Sequence, residues 1–289
     1  MDERRSVVEL LTRYELEPQL RDVFVEGTSD QALLDWFLKR AGLRHAQAYE
    51  VSSVDVPPAL LGALGLDNNN RGRVMALAHQ LHASSPQDLQ RRVVCIADSD
   101  FHHILRESFS CPLLLFTDYT SIEVYCLEEK VLTKFLNLIV GGFPASASEL
   151  IDALMPALQE LFLIRVADRT LGLRLEVLPA GRCCSIGNAR VVLDVEDYVT
   201  RLLNKGNQRG QRRRFLERLQ ELRGDLTSAP RHYIHGHDFI SLLVWYIAKT
   251  KKSRRFYDPD LLSRSIIACL EYEWISTERL FAEILQRLS

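Results

Sequence analysis

The chain has 289 residues, with 36 Lys and Arg against 38 Asp and Glu and a formal net charge of −2. This balance excludes a histone-like basic protein, and no apolar run approaches the roughly 18 residues of a membrane-spanning helix. The charged start of the chain lacks the apolar core of a signal peptide, and the six cysteines show no CxxC spacing. We therefore expect a soluble cytoplasmic protein with no membrane contact, no disulfide framework and no zinc site.

The beginning of the chain alternates helix-like and strand-like segments. Residues 6–16 carry a helical apolar pattern, and residues 22–27 are typical of a short buried strand that stops at a glycine. A capping-box pattern over 28–31, with Thr28 as the cap, begins a second predicted helix. That helix is expected to end near Gly42.

The alternation continues along the next hundred residues. Residues 45–56 are expected to be extended, and a polar turn at 67–73 precedes a helix that runs through Leu81. Two apolar runs follow, at 92–97 and 112–116. Strands that are apolar throughout and separated by helices are typical of a parallel sheet covered on both faces. The fold class predicted here is therefore α/β, with helices on both faces of a parallel sheet.

The remainder of the chain is predicted to be mostly helical. Helical patterns cover about 121–161 and dominate from residue 195 onward, and one strand is predicted at 171–178. We place a domain boundary near residue 125. This gives an α/β domain over 1–125 and a mostly helical region over 126–289 that is available for dimer, partner or nucleic-acid contacts.

Acidic residues follow three of the predicted strands. Glu26 follows the first, Asp98 and Asp100 follow the run at 92–97, and Asp118 follows the next run. Ligands of parallel sheets gather at the carboxyl ends of the strands, so we expect these carboxylates to converge. In an extended Asp-x-Asp, alternate side chains point the same way, and Asp98 and Asp100 are therefore expected to share a target.

Several carboxylates in one pocket repel each other unless a cation neutralises them. Hard oxygen ligands of this kind suit Mg²⁺ or Mn²⁺, and such ions can activate water in phosphodiester cleavage. Simpler roles stay open for two further acids. Glu123 has capping-box spacing from Thr120, and Asp30 is a favourable acid for the first turn of a helix.

The runs from Phe24 to Asp30, from Ile96 to Asp100 and from Phe116 to Glu123 resemble the signature of the Toprim domain. This domain is shared by type II topoisomerases, bacterial primases and overcoming-lysogenization-defect (OLD) nucleases. The chain resembles in particular the OLD-like Toprim proteins of anti-phage systems. Its layout and length are similar to the AriB family, the effectors of PARIS defence systems. The resemblance implies a Toprim-like sheet over about the first 125 residues.

The resemblance also implies roles for individual acids. In the family, the residue matching Glu26 is a general acid/base or metal partner, and those matching Asp98 and Asp100 hold the metal. The acid matching Asp30 can join a second metal site in OLD-like members, and Glu123 matches a recurring acid of that subgroup. The implied catalytic residues are Glu26, Asp98, Asp100 and Glu123. The implied ligands of Mg²⁺ or Mn²⁺ are Glu26, Asp30, Asp98, Asp100 and Asp118.

OLD proteins usually carry an ATPase in the same chain, whereas this sequence contains no P-loop of the form GxxxxGK[ST]. The resemblance therefore implies a separate ABC-type ATPase sensor of the AriA family, which holds the nuclease inactive until a phage protein is sensed. It further implies that the released effector forms a homodimer and cleaves host transfer RNA (tRNA). Two alternatives stay open: an OLD-type DNA nuclease with the same metal site, and a non-catalytic Toprim interaction subunit.

Basic residues cluster in two segments of the helical region, at 201–223 and 249–257. Such clusters can bind a phosphate backbone, and adjacent aromatic residues, here Phe256 and Tyr257, can stack on unpaired bases. The alternative is a solvated helix face or a partner interface. The residues predicted to bind nucleic acid are Arg209, Arg212, Arg213, Arg214, Lys251 and Lys252.

Two smaller polar groups could also touch a substrate. His102 and His103 follow the Asp-x-Asp run, although adjacent histidines in a loop are often merely exposed. Asn70, Arg71 and Arg73 open a predicted helix, where they could bind a phosphate at its N-terminus or form a plain turn.

Overall fold

The computed structural model describes residues 4–84, 89–227, 229–252 and 258–289. The strands of these residues are β1 (Arg5–Ser6), β2 (Arg21–Val25), β3 (Ala46–Glu50), β4 (Val54–Asp55), β5 (Val93–Ala97), β6 (Leu114–Phe116), β7 (Cys184–Gly187) and β8 (Arg190–Leu193). The α-helices are α1 (Val7–Leu16), α2 (Thr28–Arg40), α3 (Pro58–Ala63), α4 (Asn70–Ser84), α5 (His102–Leu105), α6 (Glu129–Phe135), α7 (Ala147–Leu171), α8 (Val195–Lys205), α9 (Arg212–Arg223), α10 (Gly236–Lys251), α11 (Pro259–Ile267), α12 (Tyr272–Ile275) and α13 (Arg279–Leu288).

The described chain divides into two compact units, each built from more than one stretch of sequence. The first unit contains the described residues of 1–99, 108–118 and 271–289, and the second contains those of 100–107 and 119–270. This division differs from the single boundary expected near residue 125. It differs because α12 and α13, at the far end of the sequence, pack with the first unit, whereas α5 packs with the second.

A parallel sheet forms the centre of the first unit. Within the described residues it has four strands in the order β3–β2–β5–β6, and every neighbouring pair is parallel. Phe24 of β2 lies opposite both Tyr49 of β3 and Cys95 of β5. The predicted strand segments at 22–27, 92–97 and 112–116 thus supply three neighbouring strands.

Helices cover both faces of this sheet. On one face, Leu10 of α1 and Leu77 of α4 pack in a buried core with Phe24. On the other, the ring of Phe37 in α2 lies 4.9 Å from the ring of Phe281 in α13. Burial of each such side chain contributes about 1.5–3 kcal/mol, which explains why the strands are apolar on both sides. The predicted α/β fold, a parallel sheet flanked by helices, is confirmed.

The first two helices begin as their sequences dictate, with one correction. Ser6 and Glu9 form a reciprocal capping box at α1, in which each side chain accepts the other residue's N–H (3.2 and 2.6 Å). The expectation that Thr28 caps α2 is wrong. Gly27 is the N-cap residue, and the Asp30 carboxylate accepts its N–H at 3.1 Å. Gly27 has an extended backbone, so the helix starts one residue earlier than the capping pattern suggested.

The second unit is predominantly helical, as predicted for the C-terminal region. Its long helix α7 packs against α6, α9 and α10 and against strand β8. The sequence prediction missed the antiparallel pair β7–β8. The strand predicted at 171–178 is wrong, because Leu171 ends α7 and Gly172 turns the chain with φ of +66°. Residues 173–179 form neither a helix nor a strand.

No helix in the described ranges combines the length and the apolar character needed to cross a bilayer. The six cysteines, all of them within those ranges, are free thiols. Burial raises the pKa of the Cys95 thiol, and raises that of Cys184 to about 12. Both thiols are therefore protonated and weakly nucleophilic at neutral pH.

Candidate active site

The first unit presents two acids where the strand order of its sheet reverses. From β2 the chain crosses to β3 on one side, and it later returns to β5 on the other side. The carboxyl ends of β2 and β5 therefore flank the topological switch point, the place where open α/β sheets bind their ligands. Glu26 immediately follows β2 and Asp98 immediately follows β5.

The Glu26 side chain connects these two strand ends. Its Oε1 atom accepts the backbone N–H of Asp98 at 2.8 Å, and both acidic residues are half-buried. The bond orients the Glu26 carboxylate along the end of β5.

The N-terminus of α4 is bound to the same strand ends. Asn70 Nδ2 donates to the Glu26 carbonyl oxygen (2.8 Å), and Arg71 Nε donates to the Asp98 carbonyl oxygen (2.9 Å). Gly72 permits this arrangement, since a Cβ at that position would lie 2.0 Å from the Asp67 carbonyl oxygen. A guanidinium and the positive end of a helix thus lie at the strand ends that carry the two acids, an arrangement suited to an anionic substrate.

The Asp-x-Asp loop is not the extended segment that the sequence suggested. β5 ends at Ala97, and Asp100 has a left-handed backbone with φ of +44°. The alternation rule therefore does not apply, and the premise that placed Asp98 and Asp100 on one side is wrong. Ser99 is buried, and its N–H is donated to the Thr117 hydroxyl at 2.9 Å. This contact anchors the loop to the residue that follows β6.

Two other acids of the first unit have structural contacts. Asp30 accepts the Gly27 N–H at the start of α2, which fits its simpler role as a favourable acid in the first turn of the helix. Asp118 accepts the N–H of Leu280 (3.0 Å) and pairs with Arg279 Nε (2.9 Å) at the start of α13. Sequence spacing could not reveal this partnership, because the two segments are far apart in the chain.

The remaining predicted acids, Asp100 and Glu123, belong to the second unit. The Asp100 N–H is donated to the Thr120 carbonyl oxygen at 2.9 Å. Glu123 accepts the Ser121 hydroxyl at 2.7 Å, whereas the Thr120 hydroxyl is donated to the Ile234 carbonyl. The capping box considered for Thr120 and Glu123 is therefore replaced by these two contacts.

The sequence prediction missed a buried ion pair in the second unit. Arg165 binds Asp238 through two hydrogen bonds, from Nε at 2.6 Å and from the terminal nitrogen at 2.8 Å. Burial opposes the charged guanidinium, yet the Asp238 carboxylate raises the pKa of Arg165, with a smaller contribution from Asp100. Burial and the Arg165 charge lower the pKa of His235 to about 3. The feature of the sequence that could have indicated this ion pair is Arg165 itself, a charged residue within the buried apolar run of α7.

The arginines predicted to bind nucleic acid are partly neutralised by acids. Arg212 pairs with Glu196 (2.9 Å) and Arg213 pairs with Glu217 (2.8 Å), so acids from α8 as well as α9 face this cluster. Such exposed pairs are worth little to stability, but they lower the local positive potential. The other two arginines predicted to bind nucleic acid are exposed: Arg209 and Arg214.

The second basic segment is only partly described. Lys251 Nζ donates to the carbonyl oxygens of Gly141 (2.7 Å) and Gly142 (3.0 Å), which gives this lysine a structural role. Lys252 is exposed and ends α10 with φ of +50°. The basic and aromatic residues at 254–257 lie outside the described residues.

The donor chemistry of the first unit fits a hard divalent cation. Glu26 and Asp98 supply two carboxylates, and Mg²⁺ is commonly held by one or two carboxylates together with waters and substrate phosphates. In the described part of the chain, no group of three or more His, Cys, Asp or Glu side chains is assembled for a metal ion. The first unit thus offers two acidic donors beside a cationic side chain.

Comparison with protein-family models gave no match, and no curated protein matches the chain. The functional argument therefore depends on the residues and on their geometry.

Proposed function

We propose that the chain is a Mg²⁺-dependent, Toprim-type endoribonuclease that acts as the toxic effector of an anti-phage system. The observation that supports this proposal is the pairing of Glu26 with the Asp98 backbone across the switch point of a parallel sheet. Two acids at this place, beside an arginine and a helix N-terminus, suit the binding and cleavage of a phosphodiester.

Each residue at the switch point has a proposed role. Glu26 and Asp98 would hold the cation, which supplies Lewis-acid stabilisation of the phosphate and a more acidic water. In this proposal Glu26 would also accept a proton from the attacking water. Arg71, whose Nε is bound to the Asp98 carbonyl oxygen, adds positive charge for the phosphate and holds the Asp-x-Asp loop in place.

Several finer elements of the proposal depend on the Toprim resemblance. These are RNA rather than DNA as the substrate, host tRNA as the target, homodimer formation, and control by a separate ABC-type ATPase sensor. The catalytic roles of Asp100 and Glu123, two acids of the second unit, likewise depend on that resemblance.

A non-catalytic Toprim interaction module is the second candidate. It is favoured by the contacts of Asp118 with α13 and of Asp30 with Gly27, in which acids of the motif stabilise helix starts. The two candidates differ in what they predict when the negative charge of Glu26 is removed. The nuclease should lose activity, whereas the interaction module should be unaffected.

The decisive experiment compares the unsubstituted chain with Glu26→Gln. Glutamine retains an oxygen that can accept the Asp98 N–H but removes the negative charge. Each protein would be incubated with total tRNA and with plasmid DNA, in Mg²⁺, in Mn²⁺ and in chelator. Glu15→Gln, an exposed substitution on α1, is the matched control.

Metal-dependent cleavage of tRNA that Glu26→Gln lacks and Glu15→Gln retains would support the proposal. Cleavage of DNA alone would replace it with the OLD-type DNA nuclease. Toxicity in cells that persists unchanged in Glu26→Gln would favour the non-catalytic module.

A further inference from the structure

The second unit carries a cluster of rings and one guanidinium that the proposed chemistry does not use. The imidazole rings of His103 and His232 are 3.9 Å apart, and the ring of Tyr119 lies 5.8 Å from that of His232. The Arg231 guanidinium lies 5.3 Å from the centre of the Tyr119 ring and donates to its hydroxyl at 3.2 Å. These four residues, His103, Tyr119, Arg231 and His232, are called the ring cluster below.

The ring cluster is held together from three separate segments of the chain. The Asp100 N–H is donated to the Thr120 carbonyl oxygen at 2.9 Å, which ties the segment before His103 to the segment after Tyr119. The Thr120 hydroxyl in turn donates to the Ile234 carbonyl, close to Arg231 and His232. The segments that carry the ring cluster are therefore fixed to one another by hydrogen bonds.

A close approach reinforces this arrangement. A Cβ at Gly236 would lie 2.2 Å from the Ser121 hydroxyl oxygen and 2.5 Å from a carboxylate oxygen of Glu123, so a larger residue would displace these side chains. The start of α10 is thereby held against the segment that bears Tyr119. Asp100 and Glu123, the two candidate acids of this unit, are carried by the same segments as the ring cluster.

The ring cluster is ordered at one end and exposed at the other. Tyr119 is fixed by Arg231 and by an edge contact with the Tyr125 ring at 5.0 Å, while Arg231 is itself paired with Glu128. His103 is exposed to solvent although its ring contacts His232. The His232 ring is tilted by 44° against that of His103 and by 40° against that of Tyr119. An exposed planar ring held by ordered neighbours resembles the platforms on which proteins stack unpaired bases.

We propose that His103, supported by His232, is a stacking platform for an unpaired nucleobase of single-stranded RNA. The choice of RNA rests on the proposed function, whereas the stacking geometry does not. Recognition of this kind tolerates any base, because every base has a flat face. It directs a loop or an opened strand, rather than a duplex, to the segments that carry Asp100 and Glu123.

The test measures binding without cleavage, using the full chain in chelator. The probe is a single-stranded oligouridylate of about ten nucleotides that carries one 2-aminopurine, whose fluorescence falls on stacking. His103→Ala is expected to weaken binding about tenfold and to remove the fluorescence change. His103→Phe has a flat ring and no charge and should retain both effects, whereas His103→Lys has a charge and no ring and should lose both.

Controls separate stacking from general attraction. His79→Ala removes an exposed histidine from α4 and should leave binding unchanged. A fully paired RNA duplex should bind with no dependence on His103. Binding restored by His103→Lys, binding unaffected by His103→Ala, or no binding by the unsubstituted chain would each overturn the inference.

The same proteins distinguish this inference from the proposed nuclease activity. His103-dependent stacking in chelator, without any metal-dependent cleavage, would contradict the proposed nuclease activity and support the stacking inference. Cleavage that is lost in Glu26→Gln, together with binding that does not depend on His103, would contradict the stacking inference and support the proposed nuclease.

Discussion

Glu26 and Asp118 occupy similar places in the sequence pattern but different surroundings in the fold. Each lies within two residues of the end of a strand of the same parallel sheet. The Glu26 carboxylate accepts an N–H from the neighbouring strand end, whereas the Asp118 carboxylate contacts the backbone and an arginine of α13. The first lies at the switch point and the second at the outer strand β6. An acid that follows a strand is therefore a candidate catalytic residue only where the strand lies beside the switch point of the sheet.

The largest expected difference between the two acids is in activity. Glu26→Gln should lower the rate of metal-dependent RNA cleavage by about 100-fold or more, the usual contribution of a positioned base. Asp118→Asn should leave that rate within about threefold, since its side chain faces a helix start rather than the crevice. Single-turnover cleavage of total tRNA measures both. A loss in Asp118→Asn as large as that in Glu26→Gln would erase the distinction.

For stability we expect the opposite ranking, with the larger effect at Asp118 and the smaller at Glu26. Asp118→Ala removes the acceptor for the Leu280 N–H and should lower the free energy of unfolding by about 1–2 kcal/mol, as for the loss of a helix cap. Glu26→Gln should change it by less than about 0.5 kcal/mol, because the amide oxygen can still accept the Asp98 N–H. Urea unfolding followed by circular dichroism measures both values. Asp55→Ala, at an exposed aspartate, is the control.

A third carboxylate extends the comparison to the opposite end of β2. Asp22 is buried, and its Oδ2 accepts the Tyr14 hydroxyl at 2.9 Å. Burial raises the pKa of this carboxyl above its ordinary 3.8, and Tyr14 and Arg13 only partly offset that effect. The native state therefore binds the proton more tightly than the unfolded state does.

This difference predicts the sign of a pH effect. As pH rises from about 3.8 through the raised native pKa, Asp22 should lower stability, by at most about 1.4 kcal/mol per pH unit. The free energy of unfolding of Asp22→Asn relative to the unsubstituted chain should therefore rise over this window. Urea titrations at several pH values test this, with Asp55→Asn as the matched control. A relative stability that falls with pH would contradict the assigned direction.

The smallest effect belongs to the exposed partner of Asp118. The Arg279 side chain is 65% exposed, so its ion pair with Asp118 should contribute less than about 1 kcal/mol. Arg279→Ala should therefore be milder than Asp118→Ala, and the effect should shrink in high salt. A loss equal to that of Asp118→Ala would mean that the ion pair, rather than the bond to Leu280, stabilises the start of α13.

The parts of the fold that were predictable are those with strong local signals. β5 and β6 are apolar throughout, and β2 has the apolar run 23–25, because both faces of the sheet are covered. The apolar pattern over 6–16 predicted α1, whose N-cap is Ser6. Such signals need only neighbouring residues, so a single sequence contains them.

The errors have local causes of a different kind. Alternating Leu173, Leu175 and Val177 imitate a strand, but Gly172 turns the chain out of α7 and the segment packs without a strand partner. For example, Leu175 occupies the space where a side chain at Gly206 would lie. The pair β7–β8 was missed because its turn uses Asn188 and Ala189, both with positive φ, and alanine gives no warning of this.

The candidate site was predictable in residue type but not in arrangement. The sequence identified Glu26 and Asp98 from their positions after strands. The bond between Glu26 and the Asp98 amide depends on strand order, and the contact of Asp118 with Leu280 depends on a helix at the other end of the chain. The buried Arg165–Asp238 pair likewise joins residues far apart in sequence, and no spacing rule brings such residues together.

The position of α13 in the first unit has a consequence for synthesis of the protein. The ribosome releases residues 271–289 only after the whole of the second unit, yet Phe281 fills one face of the sheet and Leu280 meets Asp118. Until then α2 lies on that face of the sheet without α13, its partner there. A nascent chain, or a product that stops before residue 271, lacks the helix that completes this unit. The order of elements thus makes completion of the unit that carries the candidate active site depend on synthesis of residues 271–289.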